Sequence, residues 1–244
     1  MKRNQFGLIG KNIYYSFSKK YFNEKFEELG IDCSYENYDL EKIEQFNDIL
    51  TQNVKLKGLN VTIPYKESII PYLTKLSQKA KKIGAVNTIT ISKNGQTKGY
   101  NTDFYGFKKS IRPLLMPHHR KALILGTGGA AKAVAFALTQ LDIKFTFVSR
   151  TPTENMLHYL QINADIFKEC TIIINCSPVG TADLNSAPEI PYQYFTSDHI
   201  AFDLIYNPEN TSFLSQASTH GAVTKNGYEM LVFQAEKSWS IWKR

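Results

Sequence analysis

The sequence is poor in cysteine and has no long apolar run. Its 244 residues include three cysteines, Cys33, Cys170 and Cys176, which show no C-x-x-C spacing. An odd number without that spacing argues against a disulfide framework or a zinc site and is typical of reduced thiols in a cytosol. No stretch approaches the ~20 apolar residues of a membrane span, and the N-terminus leads into too few apolar residues for a signal peptide. We therefore expect a cytoplasmic protein with no membrane partner and no metal.

Acidic residues are scarce relative to basic ones. The chain has 29 Lys and Arg against 22 Asp and Glu, a net charge of +7. Its lysine clusters, at Lys19-Lys20, Lys79 to Lys82 and Lys108-Lys109, lack the interleaved aromatic residues of a single-strand nucleic-acid binder. The charge therefore favours a modest positive field that attracts small anionic substrates, and we expect no nucleic-acid partner.

The most informative stretch is a strand, a glycine-rich turn, a helix and a second strand. Ala122 to Leu125 is a short apolar run typical of a buried parallel strand, Lys132 to Leu141 an alanine-rich helix, and Phe145 to Ser149 the next strand. Together they fit a βαβ unit of about 30 residues.

The turn between the first strand and the helix matches the dinucleotide fingerprint G-x-G-x-x-G/A. Gly126 would make the tight turn, Gly128 would let a pyrophosphate approach, and Ala131 would let helix and strand pack. The N–H groups at the helix N-terminus would bind the phosphates. A glycine turn without ligand is the alternative. A phosphate loop does not fit, because Lys132 does not follow glycine and precedes Ala133, which has no hydroxyl.

The second strand ends in Ser149-Arg150-Thr151, where units that prefer NAD carry an acidic residue. A guanidinium there would pair with the 2′-phosphate of NADP, which a carboxylate would repel. A solvated strand end is the alternative for Arg150. With the fingerprint upstream, the sequence favours NADP(H).

Strand and helix patterns alternate through both halves of the chain and predict an α/β fold. Pro113 and Pro117 indicate a boundary between the halves. Three further predictions are local: a helix beginning near Lys19 with Ser18 as its cap, a hairpin turning at Lys93-Asn94-Gly95, and a helix over Pro152 to Asn163.

Several polar residues sit at the carboxyl ends of predicted strands, where open α/β sheets bind ligands. Taken singly, they could be helix caps, turn residues or a surface lysine. Taken together, hydroxyls and amides suit a polyhydroxylated ligand, and a lysine with a carboxylate suits proton transfer at a carbonyl or alcohol. The residues are Ser16, Ser18, Asn60, Thr62, Lys66, Asn87 and Asp103.

These blocks, in this order, resemble the shikimate dehydrogenase family over nearly the whole chain. Besides the glycine loop, the matching blocks are Ser16-Phe17-Ser18, the N-V-T-x-P-x-K of Asn60 to Lys66, the A-V-N-T of Ala85 to Thr88, the N-T-D-x-x-G of Asn101 to Gly106, Asp203 to Pro208, and Asn226-Gly227 with Met230-Leu231 and Gln234.

The resemblance implies two α/β domains and an activity. A substrate-binding domain would cover residues 1–103, completed by a C-terminal helix at 229–244, and a Rossmann-type NADP-binding domain with a parallel sheet would cover 104–228. The activity implied is NADPH-dependent reduction of 3-dehydroshikimate to shikimate in aromatic amino-acid biosynthesis, by a monomer or homodimer.

The resemblance also implies roles for individual residues. Lys66 and Asp103 would form the catalytic pair, with Lys66 as proton donor. The Cys176 to Thr181 loop and Tyr206 would border the nicotinamide. Substrate would be bound by Ser16, Ser18, Asn60, Thr62, Lys66, Asn87, Asp103, Tyr206 and Gln234. The cofactor would be bound by Gly126, Thr127, Gly128, Gly129, Ala130, Ser149, Arg150, Thr151, Ser177 and Gly227.

The sequence departs from the family pattern beside Arg150. Ser149 replaces the usual asparagine, and a second basic residue is missing from Pro152 to Asn155, where Glu154 would oppose a 2′-phosphate. The departures weaken the expected preference for NADP over NAD. The alternatives are a quinate/shikimate dehydrogenase that uses either cofactor and a non-catalytic NADP-binding protein.

Overall fold

The computed structural model describes residues 4–14, 16–181, 184 and 186–243, which form two compact units. The first unit spans Met1–Thr102 with Ala235–Arg244, and the second spans Asp103–Gln234. Residues 1–3 and 244, at the ends of the predicted domain ranges, lie outside the described residues. Each unit has its own six-stranded sheet flanked by helices, which confirms the predicted α/β fold. None of the helices in the described part of the chain has the length and apolarity needed to cross a membrane.

The first unit is built on a mixed sheet in the order β2-β1-β3-β5-β6-β4. Its first three strands run parallel, and β5 pairs with both β3 and β6 in antiparallel fashion. Its elements are β1 (Asn4–Gly10), α1 (Phe17–Glu28), β2 (Cys33–Asp39), α2 (Phe46–Gln52), β3 (Leu56–Val61), β4 (Lys75–Leu76), α3 (Gln78–Ile83), β5 (Thr88–Ile91) and β6 (Thr97–Tyr100). The β5–β6 pair is the hairpin predicted at Lys93-Asn94-Gly95.

Helix α1 begins at Phe17, and Ser16 caps it. The backbone of Ser16 is extended, and its Oγ accepts a hydrogen bond from the Lys19 N–H at 3.3 Å. The prediction that Ser18 is the cap was wrong. Ser18 lies in the first helical turn, is buried, and hydrogen bonds with the phenol of Tyr35. Ser16 and Ser18 both carry a hydroxyl that can cap a helix, so the local sequence does not distinguish them. The packing of Ser18 against the sheet does.

A side chain on α1 protects the outer edge of β2, the terminal strand of this sheet. Asn23 Oδ1 accepts from the Tyr35 N–H at 3.0 Å, and Asn23 Nδ2 donates to the Tyr35 carbonyl at 2.9 Å. The amide thus gives Tyr35 the two bonds that a neighbouring strand would give.

We expect Asn23→Ala to lower the free energy of unfolding by about 2 kcal/mol, because it leaves two backbone groups of Tyr35 unpaired. Urea denaturation of the variant measures this loss. Lys20→Ala, on the solvent side of the same helix, is the control and should stay within about 0.5 kcal/mol of the parent. Equal midpoints for Asn23→Ala and the parent would refute the role of the amide.

The second unit is a fully parallel, doubly wound sheet in the order β12-β11-β10-β7-β8-β9. The chain winds outward from β7 in one direction and then from β10 in the other, which is the Rossmann strand order. Its elements are α4 (Asp103–Ile111), β7 (Lys121–Leu125), α5 (Gly129–Thr139), β8 (Lys144–Ser149), β9 (Met156–His158), α6 (Ala164–Glu169), β10 (Ile172–Asn175), β11 (Ile200–Asp203), α7 (Ser212–Thr219), β12 (Val223–Lys225) and α8 (Tyr228–Trp242), whose last residues, from Ala235, belong to the first unit.

The helix predicted over Pro152 to Asn163 was wrong. The segment instead forms strand β9 and a single 3₁₀ turn, Tyr159–Gln161. Met156 pairs with Phe147 of β8, so this segment becomes the edge strand of the sheet. Pro152 and Asn155, which has a φ of +66°, set the course of the β8–β9 connection. Strand β8 therefore reaches its parallel neighbour without a crossover helix.

Candidate active site and cofactor site

The glycine loop lies where β7 ends and α5 begins. Gly126 has a φ of +111°, which side chains with a Cβ rarely adopt, and its N–H donates to the Val148 carbonyl at 2.9 Å. A Cβ on Gly126 would lie 3.3 Å from the Cys176 carbonyl, so the loop also packs against the end of β10. The sequence predicted this turn correctly because its chemistry is local.

The geometry of this loop fits a bound pyrophosphate. A Cβ built on Gly128 would meet no atom within 4 Å, so the space above the loop is open. Thr127 and Gly128 are exposed, and Gly129 and Ala130 are half-buried at the first turn of the eleven-residue α5. The first N–H groups of a helix have no intrahelical acceptor and lie at the positive end of its dipole, so they favour an anion.

Arg150 is exposed directly beyond β8. The Thr151 N–H donates to Ser149 Oγ at 3.2 Å, which shapes the turn that carries the guanidinium. Burial raises the pKa of Tyr159, and the Arg150 charge opposes that rise, so the two side chains are electrostatically coupled. A guanidinium at this strand end fits the 2′-phosphate of NADP.

The other two predicted cofactor residues, Ser177 and Gly227, follow β10 and β12, which lie beyond the point where the strand order of the sheet reverses. Ser177 follows β10, and its Oγ donates to Asn175 Oδ1 at 2.7 Å. The Gly227 N–H donates to the Ile205 carbonyl at 2.9 Å, and a Cβ there would lie 2.0 Å from the Leu204 carbonyl oxygen. Gly227 is therefore required by backbone packing. Tyr206 is 36% exposed just beyond β11.

Three predicted substrate residues share one buried polar network in the first unit. The Tyr35 hydroxyl, bonded to Ser18, donates to Asn60 Oδ1 at 2.8 Å. Asn60 Nδ2 lies 3.0 Å from the Asn87 carbonyl oxygen and 3.1 Å from Ser238 Oγ on α8. The network holds β2, β3, β5 and α8 in fixed positions relative to one another.

Asn87 forms the second half of this network. Its Nδ2 donates to Thr102 Oγ1 at 2.9 Å, and its Oδ1 accepts from the Thr102 N–H at 2.7 Å. Thr88 Oγ1 lies 2.8 Å from Ser238 Oγ. Sequence reasoning did not single out Tyr35, Thr88, Thr102 or Ser238. Thr88 and Thr102 belong to the A-V-N-T and N-T-D blocks, whereas no motif marks Tyr35 or Ser238.

The turn after β3 carries Thr62 and Lys66. Two backbone bonds shape it: the Tyr65 N–H donates to the Thr62 carbonyl at 2.9 Å, and the Val86 N–H donates to the Lys66 carbonyl at 2.7 Å. The Tyr65 hydroxyl also donates to the Leu40 carbonyl at 2.6 Å. The half-buried Lys66 side chain thus projects from a backbone fixed on both sides, next to the segment that leads into Asn87.

Asp103 and Gln234 belong to two helices of the second unit that pack closely. Asp103 is the first residue of α4 and is buried. One turn later, a Cβ on Gly106 would lie 2.4 Å from the Met230 carbonyl oxygen on α8. Gln234 is also buried, and its Nε2 donates to the Leu231 carbonyl at 2.9 Å.

Asp203 is the last residue of β11, and its carboxylate is fully buried. Burial raises the pKa of this carboxyl from 3.8 to about 6, against the lowering effect of hydrogen bonds from Thr211, Ile205 and Asn175. Between these pH values the folded state binds more protons than the unfolded state. The free energy of unfolding therefore falls as pH rises through this range and levels off above about pH 6.

We expect Asp203 to lower the free energy of unfolding by about 3 kcal/mol between pH 4 and pH 7, from a rise of about two pKa units. Urea denaturation of the parent and of Asp203→Asn across this pH range measures the contribution, because the variant retains all other titrations. The variant should show a shallower decline with pH. Parallel curves for the two proteins would contradict the expectation.

Comparisons with known proteins agree with this arrangement. The family model described as the shikimate dehydrogenase substrate binding domain matches residues 8–89. A protein of Clostridium botulinum named shikimate dehydrogenase (NADP(+)) is 36% identical over an alignment of 247 positions, which covers 97% of this chain and 95% of that protein. The chain belongs to the shikimate dehydrogenase family.

Solved structures of this family share the fold over the whole chain. The crystal structure of shikimate dehydrogenase 1 from Peptoclostridium difficile is 37% identical with a TM-score of 0.84, covering 98% of this chain and 91% of that one. The enzyme from Thermus thermophilus, solved in complex with NADP(H) and shikimate, is 30% identical with a TM-score of 0.86, covering 98% and 93%.

Proposed function

We propose that this chain is an NADPH-dependent shikimate dehydrogenase that reduces 3-dehydroshikimate to shikimate in aromatic amino-acid biosynthesis. The observation that carries the proposal is the match, over the whole chain, to enzymes named for this reaction and for NADP. In this proposal the first unit carries most of the substrate-binding residues, and the second unit carries all of the cofactor-binding residues.

The cofactor would be held by backbone and side chains of the second unit. The N–H groups of Gly128, Gly129 and Ala130 would bind the pyrophosphate. Arg150 would pair with the 2′-phosphate, and Ser149 and Thr151 would shape that turn. Gly126, Thr127, Ser177 and Gly227 would complete the lining. When bound, NADPH supplies the hydride.

The substrate would be oriented by hydroxyl and amide groups and protonated by Lys66. During reduction the carbonyl oxygen gathers negative charge, which the Lys66 ammonium stabilises before it delivers its proton to that oxygen. Asp103 would accept a hydrogen bond from a substrate hydroxyl. The remaining substrate contacts would come from Ser16, Ser18, Asn60, Thr62, Asn87, Tyr206 and Gln234.

A quinate/shikimate dehydrogenase that accepts either cofactor is the second candidate. The observation that favours it is the loop after β8, where Arg150 is the only basic residue between Ser149 and Met156, and Glu154 is exposed. A single guanidinium beside a carboxylate would discriminate less between NADP and NAD than two cations would.

The assay that tests the proposal follows the nicotinamide absorbance during oxidation of NADPH with 3-dehydroshikimate, with NADH in parallel. Turnover with NADPH and slow turnover with NADH support it. Comparable rates with both, together with oxidation of quinate by NAD, would instead establish the dual-specificity enzyme. Cofactor binding without turnover of either substrate would leave a non-catalytic NADP-binding protein.

We also propose a cytoplasmic location and a monomer or homodimer. None of the three cysteines, all of which belong to the described part of the chain, forms a disulfide, and burial raises the pKa of Cys170 to about 11 and that of Cys176 well above its usual value. Protonated thiols are unreactive and suit a reducing compartment. Sedimentation of the purified protein measures the oligomeric state.

A further inference from the structure

We propose that Asp203 is a positioning residue for the nicotinamide half of the cofactor. It would act by fixing the loop after β10 and the turn after β11, without touching the cofactor. The inference rests on the proposed function and extends it to a residue that the catalytic and binding roles above leave out.

The strand order indicates which side of the second unit receives the nicotinamide. A dinucleotide lies across the point where the order of a doubly wound sheet reverses, here between β7 and β10. The glycine loop and Arg150 follow β7 and β8, so the adenosine half belongs over those strands. The nicotinamide half therefore lies over the ends of β10 and β11, beside residues 176–181 and Tyr206.

The Asp203 carboxylate joins three segments at this end of the sheet. Its Oδ1 accepts from Asn175 Nδ2 at 3.0 Å and from the Ile205 N–H at 3.0 Å. Its Oδ2 accepts from Thr211 Oγ1 at 2.6 Å. Asn175 ends β10, Ile205 precedes Tyr206, and Thr211 caps α7. All three partners donate, which an ionised carboxylate satisfies completely.

Asn175 transmits this constraint to the loop. Its Oδ1 accepts from the N–H of Ser177 at 3.1 Å and from Ser177 Oγ at 2.7 Å, and its Nδ2 donates to the Val179 carbonyl at 3.0 Å. Because an ionised Asp203 can only accept, the Asn175 NH₂ must face Asp203 and the Asn175 oxygen must face Ser177. An amide at position 203 would remove that requirement and let the Asn175 side chain flip.

Burial separates this role from catalysis. The side chain of Asp203 is fully buried, so it does not reach a bound cofactor. It acts through Asn175 on the loop and through the Ile205 N–H on the turn that leads to the partly exposed Tyr206. Preorganising a loop in this way avoids the ordering cost on binding and holds the reacting groups in register.

The test compares Asp203→Asn with the parent at pH 8. We expect KM for NADPH to rise about tenfold and kcat to fall, while the affinity for 2′,5′-ADP stays within twofold of the parent. That fragment reaches only the adenosine side, so a general loss of structure would weaken both ligands equally. Unchanged kinetics, or equal loss of NADPH and 2′,5′-ADP affinity, would overturn the proposal.

Two further variants sharpen the test. Thr211→Val removes the bond to Asp203 Oδ2 but leaves the Asn175 bond, so we expect a lower thermal midpoint with KM for NADPH within twofold of the parent. Asn175→Ala breaks the link to the loop and should reproduce the Asp203→Asn kinetics, even where Asp203→Asn folds poorly. The double variant Asp203→Asn with Asn175→Ala should raise KM for NADPH no more than either single substitution does. Additive increases in KM would contradict the proposal that Asp203 acts through Asn175.

Ligand affinities from equilibrium titration keep this inference distinct from the proposed function. A parent protein that binds NADPH but does not reduce 3-dehydroshikimate would refute the activity. The ratio of NADPH to 2′,5′-ADP affinity in the Asp203→Asn variant would still decide the role of Asp203.

Discussion

Lys66→Ala is expected to lower kcat for reduction of 3-dehydroshikimate by about 10²- to 10⁴-fold, the usual contribution of a positioned general acid. KM for the substrate should change by only a few fold. The ammonium interacts more strongly with the charged oxygen of the transition state than with the neutral carbonyl of the bound substrate. Removal of the ammonium therefore lowers kcat more than it changes KM. Steady-state kinetics with saturating NADPH measure both constants.

The backbone around Lys66 makes this loss specific to the side chain. The turn is closed by the bond from the Val86 N–H to the Lys66 carbonyl, and the Tyr65 hydroxyl ties it to the Leu40 carbonyl. None of these bonds uses the ammonium, so the variant should fold and bind NADPH like the parent. Lys93→Ala, in the β5–β6 hairpin, is the matched control and should retain full activity. A raised KM with equal kcat would assign Lys66 to substrate binding alone.

The features that the sequence predicted correctly are those whose chemistry is local. The glycine loop needs a left-handed residue at Gly126 and small residues after it, and both requirements are visible in six consecutive letters. The β5–β6 hairpin likewise follows from its Asn-Gly turn. Such signals survive folding because no distant residue competes with them.

The features that were missed or wrong depend on distant partners. The segment over Pro152 to Asn163 forms strand β9 because β8 offers it a sheet edge, which no local pattern reveals. Ser18 was predicted to be a cap because the sequence around it gives no sign of its hydrogen bond with the distant Tyr35. Ser238 joins the polar network from 150 positions beyond Thr88. Tertiary packing decided each of these cases.

The polar network of the first unit explains why several amides occur together at the ends of the strands. Asn60 and Asn87 are both buried and bonded to protein atoms in the segments next to strands β5 and β6. A buried amide without partners would cost free energy, so these bonds fix the strand ends as well as the amides themselves. Substrate contacts proposed for Asn60 and Asn87 would therefore come from side chains already held in place.

Arg150→Ala is expected to raise KM for NADPH by about 10- to 100-fold and to leave KM for NADH within about twofold. A hydrogen bond to a charged group contributes about 1.5–3 kcal/mol, which corresponds to this range. NADH lacks the 2′-phosphate, so it has no group for the guanidinium to pair with. Steady-state kinetics with each cofactor at saturating 3-dehydroshikimate measure the two constants.

The loop after β8 makes the outcome depend on this one residue. Its exposed residues, from Thr151 to Asn155, include Glu154 and no further cation, and β9 follows directly without a crossover helix. Lys144→Ala, at the first residue of β8 and so at the other end of that strand from Arg150, is the matched control and should change neither KM. If Arg150→Ala raised KM for NADPH and for NADH equally, the role of Arg150 would be to support the strand end. If KM rose for NADPH alone, the preference for NADP would arise from a single guanidinium. Glu154→Gln should then increase that preference.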